Sequence, residues 1–140
     1  MKLITLSPVF YERYRGCEEI LIKQTRPYVC LAVKVDGVTF AIPFRHHIPH
    51  KWAFFTVGEA GLDYSKAVVI SEWRFINSST PTIEQEEFNI LKGKDALITN
   101  GMRKFLIAYR NAVKYPDNKH YDMIRSCSSL QHFHRELRIR

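Results

Sequence analysis

The sequence predicts an α+β fold, an antiparallel sheet core flanked by helices, from three observations. Asp36-Gly37 separates two runs of β-branched and aromatic residues, a strong short-range hairpin signal. Short apolar stretches bounded by Gly, Pro and Ser fill the first half of the chain. From Asp95 to Tyr115 the period changes: Ile98, Met102, Phe105, Leu106, Tyr109, Ala112 and Val113 recur at three- and four-residue steps, and Pro116 follows. A chain of 140 residues suits one domain spanning 1–140.

Lys2 to Leu6 alternates as a strand does. Ser7 then offers an N-cap and Pro8 the first residue of a short helix through Tyr14, stopped near Gly16. The run Ile20 to Ile22 is too short for periodicity to decide. In the hairpin, a type I′ turn needs positive φ at both central residues, and it fixes the register. With Val35 opposite Val38, Lys34 faces Thr39, Ala32 faces Ala41, Cys30 faces Pro43 and Tyr28 faces Arg45, which brings Arg26 towards His47. One face then carries Val29, Leu31, Val33, Val35, Val38, Phe40, Ile42 and Phe44 and must be buried. The other, with Cys30, Ala32 and Ala41, is expected to be a shallow open floor rimmed by Arg26, Tyr28, Arg45 and the histidines.

Trp52 to Val57 reads as a buried strand ended by Gly58 and Gly61, and Leu62 to Ile70 contains another with Tyr64 and Lys66 near its start. Ile83 to Leu91 mixes acids with alternating apolar positions and reads as a strand. After the long helix, a short helix is expected at Tyr121 to Ile124, a turn at Cys127-Ser128-Ser129, and a last helix from Leu130 to Ile139 that packs Leu130, Phe133 and Leu137.

The net charge is +7, and residues 100–140 hold nine Lys and Arg against three acids. With six histidines and abundant Tyr and Phe interleaved, this balance favours an anionic polymer partner over a small neutral ligand. No apolar run approaches the ~18 residues of a membrane span, and the N-terminus lacks the long apolar region of a signal peptide. Cys17, Cys30 and Cys127 form no CxxC pair, so a reduced cytoplasmic location is expected.

The loop after the hairpin, Arg45-His46-His47-Ile-Pro-His50-Lys51-Trp52, concentrates titratable groups. Its histidines have no acidic ligand or CxxC pair close by, whereas a structural zinc needs four ligands, so neither metal nor cofactor is expected. The set suits RNA cleavage in which the ribose 2′-OH is the nucleophile. A base takes its proton, an acid protonates the departing 5′ oxygen, and a cation stabilises the phosphorane. Histidine titrates near working pH and fits either proton role. Arg45 suits the non-bridging oxygens, and Lys51 suits an acid or charge stabiliser. The same side chains would equally serve a non-catalytic RNA-binding or regulatory protein. There is no P-loop, no GxSxG and no obvious carboxylate cluster for magnesium.

Nearly the whole chain resembles the toxins of type III toxin–antitoxin systems, the ToxN/AbiQ family, and most closely its TenpN branch. The resemblance is carried by Lys2-Leu-Ile-Thr-Leu-Ser7-Pro8, Arg26-Pro-Tyr28, Asp36-Gly-Val-Thr-Phe-Ala-Ile-Pro43, the histidine-rich loop, and Gly61-Leu-Asp-Tyr-Ser-Lys-Ala-Val-Val-Ile70. Against the ToxN pattern, Arg26 matches a basic residue before the second strand and Lys51-Trp52 match the end of the loop, while Arg45-His46 replace Thr-Ser. The resemblance implies a strongly twisted antiparallel sheet surrounded by helices, ToxN-like and related to the Kid/MazF type of RNase. It also implies a metal-independent endoribonuclease leaving 2′,3′-cyclic phosphate and 5′-hydroxyl ends. Such a toxin processes, and is inhibited by, a repeated RNA pseudoknot antitoxin in a closed protein–RNA assembly; when released it cuts cellular or phage transcripts, arresting growth and blocking infection. The residues expected to act are Arg45, His46, His47 and Lys51 in catalysis, and Arg26, Tyr28, Lys34, His50, Tyr64, Lys66 and Ser128 in RNA contact.

Overall fold

The hairpin forms at the expected turn: Asp36 and Gly37 have φ of 51° and 82°, the left-handed region a type I′ turn requires. In the computed structural model, which describes residues 2–22 and 28–140, this hairpin joins β2 (Val29–Val35) to β3 (Val38–Arg45). Its register is the expected one from Val35↔Val38 to Cys30↔Pro43. Strand β1 (Lys2–Thr5) pairs antiparallel with β2. The outer edge of β3 is shared by two strands at different heights. β5 (Gly61–Asp63) pairs with Phe44 and Arg45, β6 (Val68–Val69) pairs with Phe40 and Ala41, and β4 (Ala53–Phe55) lies beyond β5. The result is a six-stranded antiparallel sheet in an α+β chain.

Between β1 and β2, α1 (Pro8–Arg13) starts as expected, with Ser7 Oγ accepting the Phe10 N–H and Pro8 in the first turn. The segment from Leu62 to Ile70 is not one strand. After Asp63 it turns through a 3-10 turn at Tyr64–Lys66 and re-enters the sheet as β6, because the Asp63 side chain caps that turn through the Ser65 N–H. The expected strand at Ile83 to Leu91 is instead a helix, α2 (Gln85–Leu91). Glu86 and Glu87 fall in its first turn, where the helix dipole favours acids, and only Leu91 is buried, so no alternating face exists to pair.

The long helix α3 (Asp95–Lys114) buries Ile98, Met102, Phe105, Leu106, Tyr109 and Ala112 and packs on β2. Gly101 is the notch in this helix. A Cβ there would overlap the Tyr64 ring, whose hydroxyl donates to the Ile98 carbonyl at 2.9 Å. Tyr64, expected at the RNA surface, is therefore a buried strut between sheet and helix, 5% exposed. Beyond α3 come α4 (Asp122–Cys127) and α5 (His134–Leu137), the expected last helix being divided by a 3-10 turn at Ser129–His132. Leu130, Phe133 and Leu137 are buried as expected. Ser128 is also fully buried and caps that turn, its Oγ accepting the Leu130 N–H.

The second face of the hairpin is not an open floor. Cys30, Ala41 and Pro43 are buried, and with Tyr11, Ile20, Leu21 and Val68 they line a small cavity under the segment that follows α1. Small side chains on that face let another layer of chain approach, which is the same property that would have admitted a ligand. Among the described residues no helix is long and apolar enough to cross a membrane.

Candidate functional site

Antiparallel pairing places Arg45 opposite Gly61 and Phe44 opposite Leu62, so Arg45 and Asp63 emerge on one face at the end of the sheet. Arg45 Nη1 donates to Asp63 Oδ2 at 2.7 Å. Asp63 is fully buried, and its Oδ1 also accepts the Ser65 N–H at 2.9 Å and the Ser65 hydroxyl at 2.6 Å. His50 completes the shell, with Nε2 at 3.1 Å from Oδ1. The Trp52 N–H donates to His50 Nδ1 at 3.0 Å, so that nitrogen carries no proton and Nε2–H is the donor to Asp63. One carboxylate thus receives donors from a strand end, a loop and a turn, which offsets the several kcal/mol its desolvation costs.

In front of this cluster opens a cavity of about 170 Å³. Arg45, His50, Ser65 and Lys66 form its polar side, and Trp52, Phe105, Met123 and Ile124 its apolar side. Lys66 Nζ donates to the Cys127 carbonyl at 2.7 Å, tying the floor of the cleft to the end of α4. Burial pushes the Lys66 amine below its ordinary value; the Asp63 charge partly opposes that effect and the Arg45 charge adds to it. Only part of the Arg45 fork is spent on Asp63, and its side chain remains 26% exposed at the cleft. The arrangement can hold an anion on a fixed guanidinium with a proton-transfer amine beside it.

Of the expected site residues, the structure brings Arg45, His50 and Lys66 together. His46 is exposed on the loop, and so is His47, whose Nδ1 lies 2.6 Å from Glu59 Oε2. Lys51 sits at the rim, its ammonium 5.2 Å from the centroid of the Trp52 ring, which in turn packs on Phe105. Tyr28 lines the small cavity on the other face of the hairpin, a cavity that Lys66 also reaches. Lys34 is exposed near the turn end of β2, roughly 20 Å from Arg45 at ~3.3 Å per residue along β3. Tyr64 and Ser128 are internal and do not reach the surface of the cleft. Arg26 lies outside the described residues.

Asp63 and Ser65 were not among the expected residues. Their signal is the Asp-x-Ser spacing of a side-chain-capped turn inside an otherwise apolar stretch. Nothing local marks Phe105, Met123 or Ile124, which reach the cleft from α3 and α4. Among the described residues no group of three or more His, Cys, Asp or Glu is placed to hold a metal ion. Comparison with protein-family models, with curated proteins and with solved structures found no match.

Proposed function

We propose that this protein is a metal-independent endoribonuclease, the toxin of a type III toxin–antitoxin pair, which cuts RNA in the cleft of Arg45, His50 and Lys66. One observation carries the reading: a guanidinium anchored on a buried carboxylate shares an open cavity with an amine whose proton affinity is lowered by burial. In the proposed reaction the ribose 2′-OH loses its proton and attacks the adjacent phosphorus. The P–O5′ bond breaks, and the 5′ oxygen takes up a proton, leaving a 2′,3′-cyclic phosphate and a 5′-hydroxyl.

Arg45 meets the non-bridging oxygens as negative charge develops, and Asp63 holds the guanidinium in place. Lys66 is a proton-transfer group of the cleft, since a desolvated lysine gives up its proton nearer to working pH. The second is assigned to His47 of the loop, which is exposed and does not itself line the cavity. If His47 donates through Nδ1–H to Glu59, its Nε2 lone pair is free to accept a proton. Lys51 flanks the strand as a cation, and His46 lies exposed on the same loop. The repeated RNA antitoxin of the resembled family is the proposed inhibitor.

Incubation with RNA in EDTA tests the reading. Cyclic-phosphate ends are expected, and Arg45→Ala should reduce their rate by about 10²–10³-fold, the usual effect of losing one preorganised donor. His47→Ala and Lys66→Ala should each slow cleavage without unfolding the protein. A binding-only protein is favoured by one observation: both ring nitrogens of His50 are already engaged in the cluster. RNA bound but left intact in EDTA would decide for that reading.

A further inference from the structure

Away from the cleft, α3 carries a second cationic feature that the proposed reaction does not use. Residues 96–116 contain no acid. On the outer face of the helix Arg103, Ile107, Arg110 and Lys114 follow one another at steps of four, three and four, which aligns them in a single stripe about 16 Å long. Ile107 is 55% exposed and the Arg103 side chain 41% exposed, while Arg110 and Lys114 are exposed. Arg110 Nη2 donates to the Leu137 carbonyl at 3.1 Å, which ties α5 to the stripe. Among the described residues, the acid that approaches the stripe is Asp36 in the hairpin turn, 4.0 Å from Arg103. Phe105, which lines the cleft, lies two residues after Arg103 and so about 200° around the helix. The ridge and the cleft therefore face in nearly opposite directions.

We infer that the Arg103–Arg110–Lys114 ridge grips the phosphate backbone of a double-helical RNA segment, separately from the strand cut in the cleft. Charge decides the class of partner: aligned cations on a rigid rod complement a phosphate backbone. Its form follows from what the stripe lacks. Along its length it presents Ile107, and a single exposed ring, Tyr115, lies at its C-terminal end 5.5 Å from Lys114 Nζ, so it lacks the row of rings on which successive bases of a single strand would stack. A bilayer is disfavoured because the apolar face of α3 is already buried in the core, leaving no amphipathic face to insert. The inference rests on the endoribonuclease reading for its substrate, and its test separates the two.

The test compares a short cleavable single strand with the same strand joined to a hairpin of about 16 base pairs, a length that a shape-reading protein spans. Both are assayed in EDTA with the wild type and with the double variant Arg103→Gln and Lys114→Gln. Arg110 is left in place because it holds α5, and thermal unfolding checks that the variant is folded. The expected result is a KM for the hairpin-joined RNA about tenfold higher in the variant, with kcat unchanged and the short strand unaffected. The slope of log affinity against log salt should fall by about two, near one for each phosphate the variant leaves unneutralised. Equal KM values for the two proteins on the joined RNA would overturn the inference and leave the cleft reading standing. Filter binding of the hairpin alone covers the reverse case. Variant-dependent binding without any cleavage would sink the nuclease reading and keep the ridge. A double variant that loses binding only to anionic phosphatidylserine vesicles would overturn the RNA assignment.

Discussion

Asp63 is the side chain on which the cleft converges, because its two oxygens organise Arg45, His50 and the Ser65 turn at once. Replacing it by Ala leaves a partly buried guanidinium and an imidazole donor without their acceptor. Loss of one member of a buried pair costs about 3–5 kcal/mol, and the residual exposure of Arg45 places Asp63→Ala near the low end. The midpoint of urea unfolding measures it. Asp63→Asn should lose less stability, yet it should slow cleavage nearly as much, since Arg45 is then no longer held by a charge. At Lys66 the sign of the pH effect is fixed by burial. Its folded value lies below the ordinary 10.5, so between the two the unfolded chain binds more protons and the residue's contribution to stability rises with pH. The alkaline limb of the cleavage profile should fall below 10.5 and should be lost in Lys66→Met. A profile unchanged by that substitution would remove Lys66 from proton transfer.

At the scale of elements, the 3-10 turn at Tyr64–Lys66 is what converts two short strands on one edge of β3 into a site. It is held from behind by Tyr64 in the Gly101 notch of α3 and from below by Ser129, whose Oγ donates to the Ala67 carbonyl at 2.5 Å. A methyl group at Gly101 forces the Tyr64 ring outward. Gly101→Ala is expected to destabilise the fold by about 1–3 kcal/mol, the usual cost of overpacking, and to reduce cleavage beyond what the stability loss accounts for. Thermal unfolding and single-turnover rates, measured on the same preparation, check both parts. Tyr64→Phe keeps the packing and removes only the hydrogen bond to Ile98, a loss of about 1 kcal/mol.

Across the whole molecule, buried tyrosines set the alkaline limit of stability. Tyr64 and Tyr109 are both pushed up to about 12 by burial, and Tyr11 is raised further. Each is protonated in the folded state at pH values where the unfolded chain has begun to ionise. Their contribution is therefore complete below pH 10 and is lost as pH rises towards 12. Absorbance at the tyrosinate band should rise cooperatively with loss of circular dichroism between those values. Titration of all seven tyrosines in a folded protein at an ordinary pKa of about 10 would contradict their burial.

Much of this architecture was legible one segment at a time. The Asp36-Gly37 turn set the register of the hairpin because positive φ at two residues is a local demand. The three- and four-residue spacing set α3 because one face of a helix must be buried. Arg45, His50 and Lys66 were also legible as candidates, the first two as titratable groups of the loop after the hairpin and Lys66 near the start of an expected strand, though its place on a turn was not. What tertiary structure alone decided was which of them meet. Asp63 joins the site only when β5 pairs with the end of β3, and the small face of the hairpin closes only when the segment after α1 covers it. Helix α2 shows the same limit, since a short run of mixed acids and apolar groups satisfies either period until its neighbours choose. Local sequence determines backbone preference, whereas burial and the pairing of charges depend on contacts between residues far apart in the chain, and those exist only after the sheet has formed.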